Sequence, residues 1–279
     1  MTLPASAGGQ TVAMPPSFAG RAAAGIVTAG LVLLALSCSS TSGKASSGEG
    51  QYPPQIALFG DSLSWEAQPY YTSLIHATGE TALTYDSVGG TAICDWLQRM
   101  REVEATYHPH AVQLQFSGNA LTPCMKAYPP SSQAYYDRYR ADTQAAIDIF
   151  VPHGTHVFLI GAPVSRAGQS DPNWDRLNRQ YAEMAAGDPQ HVTYADAGTA
   201  VEGPGHTYVE TLPCLAVEPC IGPVLGGVPS NTVRSPDGVH FCPAKTGNEE
   251  GVIGGCPTYS SGAFRYAHAM VEALTASPP

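Results

Sequence analysis

The sequence predicts an α/β protein, a three-layer α/β/α sandwich on a five-stranded parallel sheet. Three observations carry that expectation. Short apolar runs alternate with longer segments whose apolar residues recur at helical spacing. Turns containing Gly, Asp or Asn follow the first three runs, and 43% hydrophobic against 13% charged residues in a chain of 279 is enough apolar side chain for a full core. Strand-helix-strand repetition implies parallel neighbours joined by right-handed crossovers, which places helices on both faces of one sheet.

QIALF (55–59) reads as a buried strand, and SWEAQPYYTSLIHATG after it as a loop and a helix stopped by Gly79. ALTYDSV (82–88) is a second strand, followed by the helix CDWLQRMREVEATYH (94–108). AVQLQF (111–116) is a third strand, and SQAYYDRYRADTQAAIDIFV (132–151) a long helix. THVFLIGAP (155–163) gives the fourth strand, DRLNRQYAEMAAG (175–187) a helix, and HVTYADAG (191–198) the fifth strand. GAFRYAHAMVEALTA (262–276) is the last helix. Residues 199–259 read as a long Gly/Pro-rich excursion, of a length that carries function or needs staples.

Residues 1–37 form a separate class of sequence. RAAAGIVTAGLVLLALSC runs from Arg21 through an uncharged apolar stretch to small residues and Cys38, the layout of an export signal. The stretch is shorter than the roughly 20 residues of a spanning helix, so cleavage is expected rather than an uncleaved anchor. Met14 would begin a signal of more ordinary length. The LALSC end resembles a bacterial lipoprotein signal, which implies lipidation at Cys38 and a membrane tether; plain cleavage after Ser37 is the competing outcome. Residues 38–54, rich in Ser, Gly and Pro, read as a flexible linker, and 55–279 as the folded domain.

A formal charge of -10 repels phosphate backbones, so no nucleic-acid partner is expected. Setting Cys38 aside leaves Cys94, Cys124, Cys214, Cys220, Cys242 and Cys256, an even number that suits an oxidising compartment. Short loops favour Cys214 with Cys220 and Cys242 with Cys256, which leaves Cys94 for Cys124. No C-x2-C spacing occurs and the histidines are scattered, so no metal and no cofactor are expected. A monomer is expected.

In parallel sheets, reactive groups gather at the carboxyl ends of the strands. The first three strands end in Asp61-Ser62, Gly89-Gly90 and Gly118-Asn119, which should border one cleft. The excursion contributes SPDGVHFCP. In order, Gly60-Asp61-Ser62, Gly90, Asn119 and Asp237-Gly238-Val239-His240 resemble the four blocks of the SGNH (GDSL-type) hydrolases, from about residue 55 to the C-terminus. The resemblance implies a flavodoxin-like SGNH hydrolase fold and acyl transfer through a serine. A serine hydroxyl is a poor nucleophile at its own pKa and needs a base and a group that orients the base. Ser62, His240 and Asp237 take those roles. The family's oxyanion donors map to the backbone N–H of Ser62, the backbone N–H of Gly90 and the side-chain amide of Asn119. Glycine suits close approach of the backbone to a substrate, and Gly89 competes with Gly90 for the role. FSGNAL departs from the usual Gly-x-Asn-Asp of the third block.

A Cys94–Cys124 bond would tie two cleft loops together, and Cys242–Cys256 would hold the base. Tyr135, Tyr136 and Tyr139 read as packing and surface, Trp96 as core, and His108 and His110 as a connector. The expected function is an exported serine esterase acting on small-molecule, glycan or lipid esters. Two alternatives stay open: a cell-envelope O-acyltransferase with the same acyl-serine intermediate, and a non-catalytic envelope binding module.

Overall fold

Successive side chains of a strand point to opposite faces, so an all-apolar strand demands a helical layer on each side. β1 (Gln55–Gly60), β2 (Ala82–Ser87), β3 (Ala111–Gln115), β4 (His156–Ile160) and β5 (Val192–Ala195) meet that demand in one sheet of order β2-β1-β3-β4-β5. Every neighbouring pair is parallel. The computed structural model describes residues 55–79, 82–243 and 255–276. The expected signal, the linker and Cys38 lie outside the described residues.

On one face, Ala57 and Phe59 of β1 and Val157 and Leu159 of β4 pack under α2 (Ile93–Tyr107), α3 (Gln133–Phe150) and α4 (Arg176–Gly187). On the other, Ile56, Leu58, Phe158 and Ile160 pack under α1 (Ser62–Ala77) and α5 (Ser261–Ala276). This is the three-layer α/β/α sandwich expected from the alternation. Gly60, the last residue of β1, pairs with Ser87 of β2 and Gln115 of β3, so three strand ends are level. The loops that leave them therefore emerge side by side.

Three local differences from the sequence reading have physical causes. α1 starts at Ser62 with no intervening loop, because the Asp61 carboxylate caps it by accepting Leu63 N–H at 3.1 Å, and Pro69 is accommodated inside the helix. The 199–259 excursion holds a small antiparallel sheet of β6 (Thr211–Pro213), β7 (Val224–Leu225) and β8 (Val228–Thr232), in the order β6-β8-β7. Trp96 is only half-buried; its ring leans on Phe59 and its indole N–H donates to Thr91 Oγ1 at 3.0 Å.

The structure joins Cys94 to Cys124, Cys214 to Cys220 and Cys242 to Cys256. Cys94 and Cys124 are separated by 30 residues, a loop whose closure constrains the unfolded chain. Replacing both with alanine is expected to lower stability by about 3 to 4 kcal/mol, read from urea unfolding of oxidised protein. An unchanged midpoint would show that this bridge adds nothing. Among the described residues, no helix is long and apolar enough to cross a membrane.

Candidate active site

The junction of β1 and α1 is tight. A Cβ on Gly60 would sit 2.7 Å from the Gln115 carbonyl oxygen and collide with the Ser64 side chain, so the turn tolerates only glycine. Asp61 N–H donates to that same Gln115 carbonyl at 3.1 Å, and Ser64 N–H donates to Gln115 Oε1 at 2.9 Å. These bonds pin the start of α1 to β3. Ser62 is the first helical residue, so its N–H has no partner within the helix and lies at the positive end of the helix dipole.

His240 reaches Ser62 across 178 residues of sequence, with Nε2 2.9 Å from Ser62 Oγ. On its other side Nδ1 is 2.7 Å from Asp237 Oδ2. Asp237 Oδ1 also accepts the N–H groups of Val239 and His240, at 2.8 and 3.0 Å. Partial burial pushes the Asp237 carboxyl up, but the bond to the His240 side chain and the two backbone N–H donors outweigh it and bring it down to about 2. An ionised carboxylate can only accept, so the proton sits on Nδ1 and Nε2 is left to accept from the serine hydroxyl.

The turn carrying this pair is held from outside. Gly238 has φ +79°, and a Cβ there would lie 2.6 Å from Arg166 Cβ. Arg166 N–H donates to the Gly238 carbonyl at 2.8 Å and its guanidinium to the Pro236 carbonyl at 3.0 Å. The buried Arg234 donates to the Val239 carbonyl at 3.1 Å and to the Val164 carbonyl at 2.6 Å. Glu66, one turn along α1 from Ser62, accepts Phe241 N–H at 2.6 Å. The Cys242–Cys256 bridge follows directly.

The expected oxyanion donors gather at the same strand ends. A Cβ built on Gly89 would lie 3.6 Å from Ser62 Cβ. Gly90 adopts φ +80°, a conformation that favours glycine, with the Leu121 side chain over it. One N–H of the Asn119 side chain is already engaged, donating to Asp61 Oδ2 at 3.0 Å. Its second N–H is the one left for an oxyanion. Asp61 Oδ2 also accepts Ser117 N–H at 2.7 Å and Ser117 O–H at 2.6 Å. Burial raises the Asp61 carboxyl above its usual range, and the Ser117 bonds work against that rise. Asp61 thus caps the serine helix with one oxygen and gathers the asparagine loop with the other.

Several contributors escaped the sequence reading. Tyr135 and Tyr139 are buried, and beyond packing they donate to the Gly118 and Asn119 carbonyls at 2.6 and 2.7 Å, which fixes the asparagine loop against α3. Their spacing along α3 marks a buried face, but nothing in it discloses the hydroxyl partners. Arg166, Arg234 and Glu66 likewise carry no local signal in the sequence. The Cys94–Cys124 bond joins the first turn of α2, which follows Gly90, to the turn after Asn119.

A family model described as "Protein of unknown function (DUF459)" matches residues 55–249. No curated protein matches the sequence. Among solved structures, a lipase/acylhydrolase from Enterococcus faecalis is similar at 17% identity and TM-score 0.52, covering 80% of this chain and 96% of that one. A GDSL-like lipase from Bacteroides thetaiotaomicron is similar at 11% identity and TM-score 0.51, covering 80% and 88%. At such identities the likeness is one of fold, and that fold is the SGNH hydrolase fold.

Proposed function

The chain belongs to the DUF459 family, and from that premise, together with its SGNH hydrolase fold, we propose that it is an exported serine esterase that cleaves carboxylic esters through an acyl-serine intermediate. The observation that carries this reading is the continuous line from Ser62 Oγ through the His240 ring to Asp237 Oδ2, with steps of 2.9 and 2.7 Å. In the first half-reaction Ser62 Oγ bonds to the acyl carbon as its proton passes to His240 Nε2. The ester C–O bond then breaks and the imidazolium returns that proton to the departing alkoxide. Water repeats the sequence in the second half-reaction and frees the acid. Three disulfides support an oxidising compartment outside the cytoplasm. The exposed apolar side chains of Val88 and Leu121, beside Gly89 and Asn119, offer contact to an acyl chain. An acyl-ester panel run with and without saccharide acceptors tests the reading: acid release independent of acceptor supports a hydrolase, and acyl transfer to the saccharide replaces it with a transferase.

Asn119→Ala is expected to lower kcat by about 100- to 1000-fold, the cost of one oxyanion donor, with little change in the unfolding midpoint. A variant with wild-type turnover would remove Asn119 from the oxyanion site. The pH dependence has a definite sign. Asp237 is held at about 2, below its ordinary 3.8, so its contribution is complete above that ordinary value and is lost only as pH falls through about 2. Mild acidification therefore leaves the Asp237 carboxylate ionised, and a kcat/KM lost there reports a different group, the base that takes the serine proton. A profile that falls only as pH drops through about 2 would tie activity to the Asp237 carboxylate instead.

A further inference from the structure

At the carboxyl ends of β4 and β5, beside α4, lies a cavity of about 200 Å³ that the serine chemistry does not use. One water occupies about 10 to 15 Å³ on such a measure, so the cavity has room for roughly a dozen heavy atoms. Its wall includes the half-buried indole of Trp174 and the side chain of Ala182, which give it an apolar floor. Around it stand donors and acceptors in mixture. Arg179 is paired with Asp175 at 2.5 Å, which cancels one charge of each sign. Tyr194 O–H donates to Asp196 Oδ1 at 3.3 Å, and Asp196 is exposed, so its other carboxylate oxygen is left to accept. His206 Nδ1 is 2.9 Å from the buried Glu202, which fixes the ring and leaves Nε2 as its outer polar atom.

The backbone at His206 is unusual as well. It adopts φ +59°, a left-handed conformation that costs energy for a residue other than glycine and that collects at ligand sites. Its ring centroid is 6.2 Å from that of Trp174. Asp196 disfavours an anion, and the Arg179–Asp175 pair contributes no net charge of either sign. Hydroxyl groups, which both donate and accept, satisfy the whole set, and the C–H face of a sugar ring matches the indole.

The position suits the chemistry. Trp174 belongs to the loop after β4, the same loop that grips the His240 turn through Arg166 N–H on Gly238 and Arg234 on Val164. His240 gives its proton to the departing alcohol, so the alcohol part of an ester lies on the His240 side of Ser62. We propose that this cavity is a carbohydrate subsite that takes one neutral pyranose ring, further along the glycan that forms the alcohol part of the ester at Ser62. Assigning the ring to that part of the substrate rests on the esterase reading above; the binding of a pyranose does not.

Saturation-transfer NMR with methyl β-D-glucopyranoside and methyl β-D-xylopyranoside tests it on the wild type, Trp174→Ala and Asp196→Asn, with thermal unfolding as the check on folding. Transfer to ring C–H protons is expected in the wild type for at least one of the two glycosides, with affinity reduced about ten-fold or more in each folded variant. If Trp174→Ala does not fold, Asp196→Asn decides. No transfer to either glycoside in the wild type, or undiminished transfer in the folded variants, overturns the subsite. Hydrolysis of p-nitrophenyl acetate by the wild type is read separately. If it occurs without sugar binding, the subsite falls and the esterase stands; if sugar binds without it, the esterase falls and the subsite stands.

Discussion

Ser62→Ala is expected to reduce hydrolysis of p-nitrophenyl acetate by roughly 10,000-fold or more while the protein stays folded. The substitution removes the one oxygen that can bond to the acyl carbon with its proton already aimed at a base, 2.9 Å away. Ser62 is only half-buried, so the loss of its hydroxyl leaves the core untouched. His240→Ala should cost a similar factor, and the double variant should be no worse than either single one, because the groups work as a unit. What rate survives comes from the N–H donors, which need neither residue. Retained labelling of Ser62→Ala by a fluorophosphonate probe, or additive losses in the double variant, would place the nucleophile elsewhere.

The second large effect belongs to Asp61. Its fully buried carboxylate accepts Leu63 N–H on one oxygen and Ser117 N–H, Ser117 O–H and an Asn119 N–H on the other. Asp61→Ala strands all four donors, and a buried donor without an acceptor costs about 1 to 3 kcal/mol. Stability should fall by about 3 kcal/mol or more, read from urea unfolding, and turnover should fall at least as far as in Asn119→Ala. Asn119→Ala removes a donor and keeps the hub, so only Asp61→Ala should couple a large loss of stability to the loss of rate. A wild-type unfolding midpoint in Asp61→Ala would mean that the loop after β3 is held by other contacts.

The layers of the fold were legible because each central strand is a short apolar run and each helix shows a recurrent apolar stripe. QIALF and THVFLIGAP contain the observed β1 core and β4 within the predicted spans. The small second sheet was not legible, since β7 has two residues, β6 three, and both β6 and β8 contain a proline. At the candidate site, local and long-range contacts differ in kind. Asp237 and His240 are three residues apart, and a local turn suffices to bring them together. Asp61 meets Ser117 and Asn119 across 56 and 58 residues, and no local pattern announces a contact that only the β1–β3 pairing creates. The Tyr135 and Tyr139 hydroxyls were missed for the same reason: periodicity reports which face is buried, whereas hydrogen-bond partners depend on what that face meets.

The level ends of β2, β1 and β3 carry a wider consequence. Ser62, Asn119 and the Asp237–His240 turn hang from separate connections, and these three are not near one another until those connections have docked. No fragment of this chain can therefore be an early, weak version of the catalyst. The site is complete only when the last connection closes, so its assembly is as cooperative as the folding of the sheet itself.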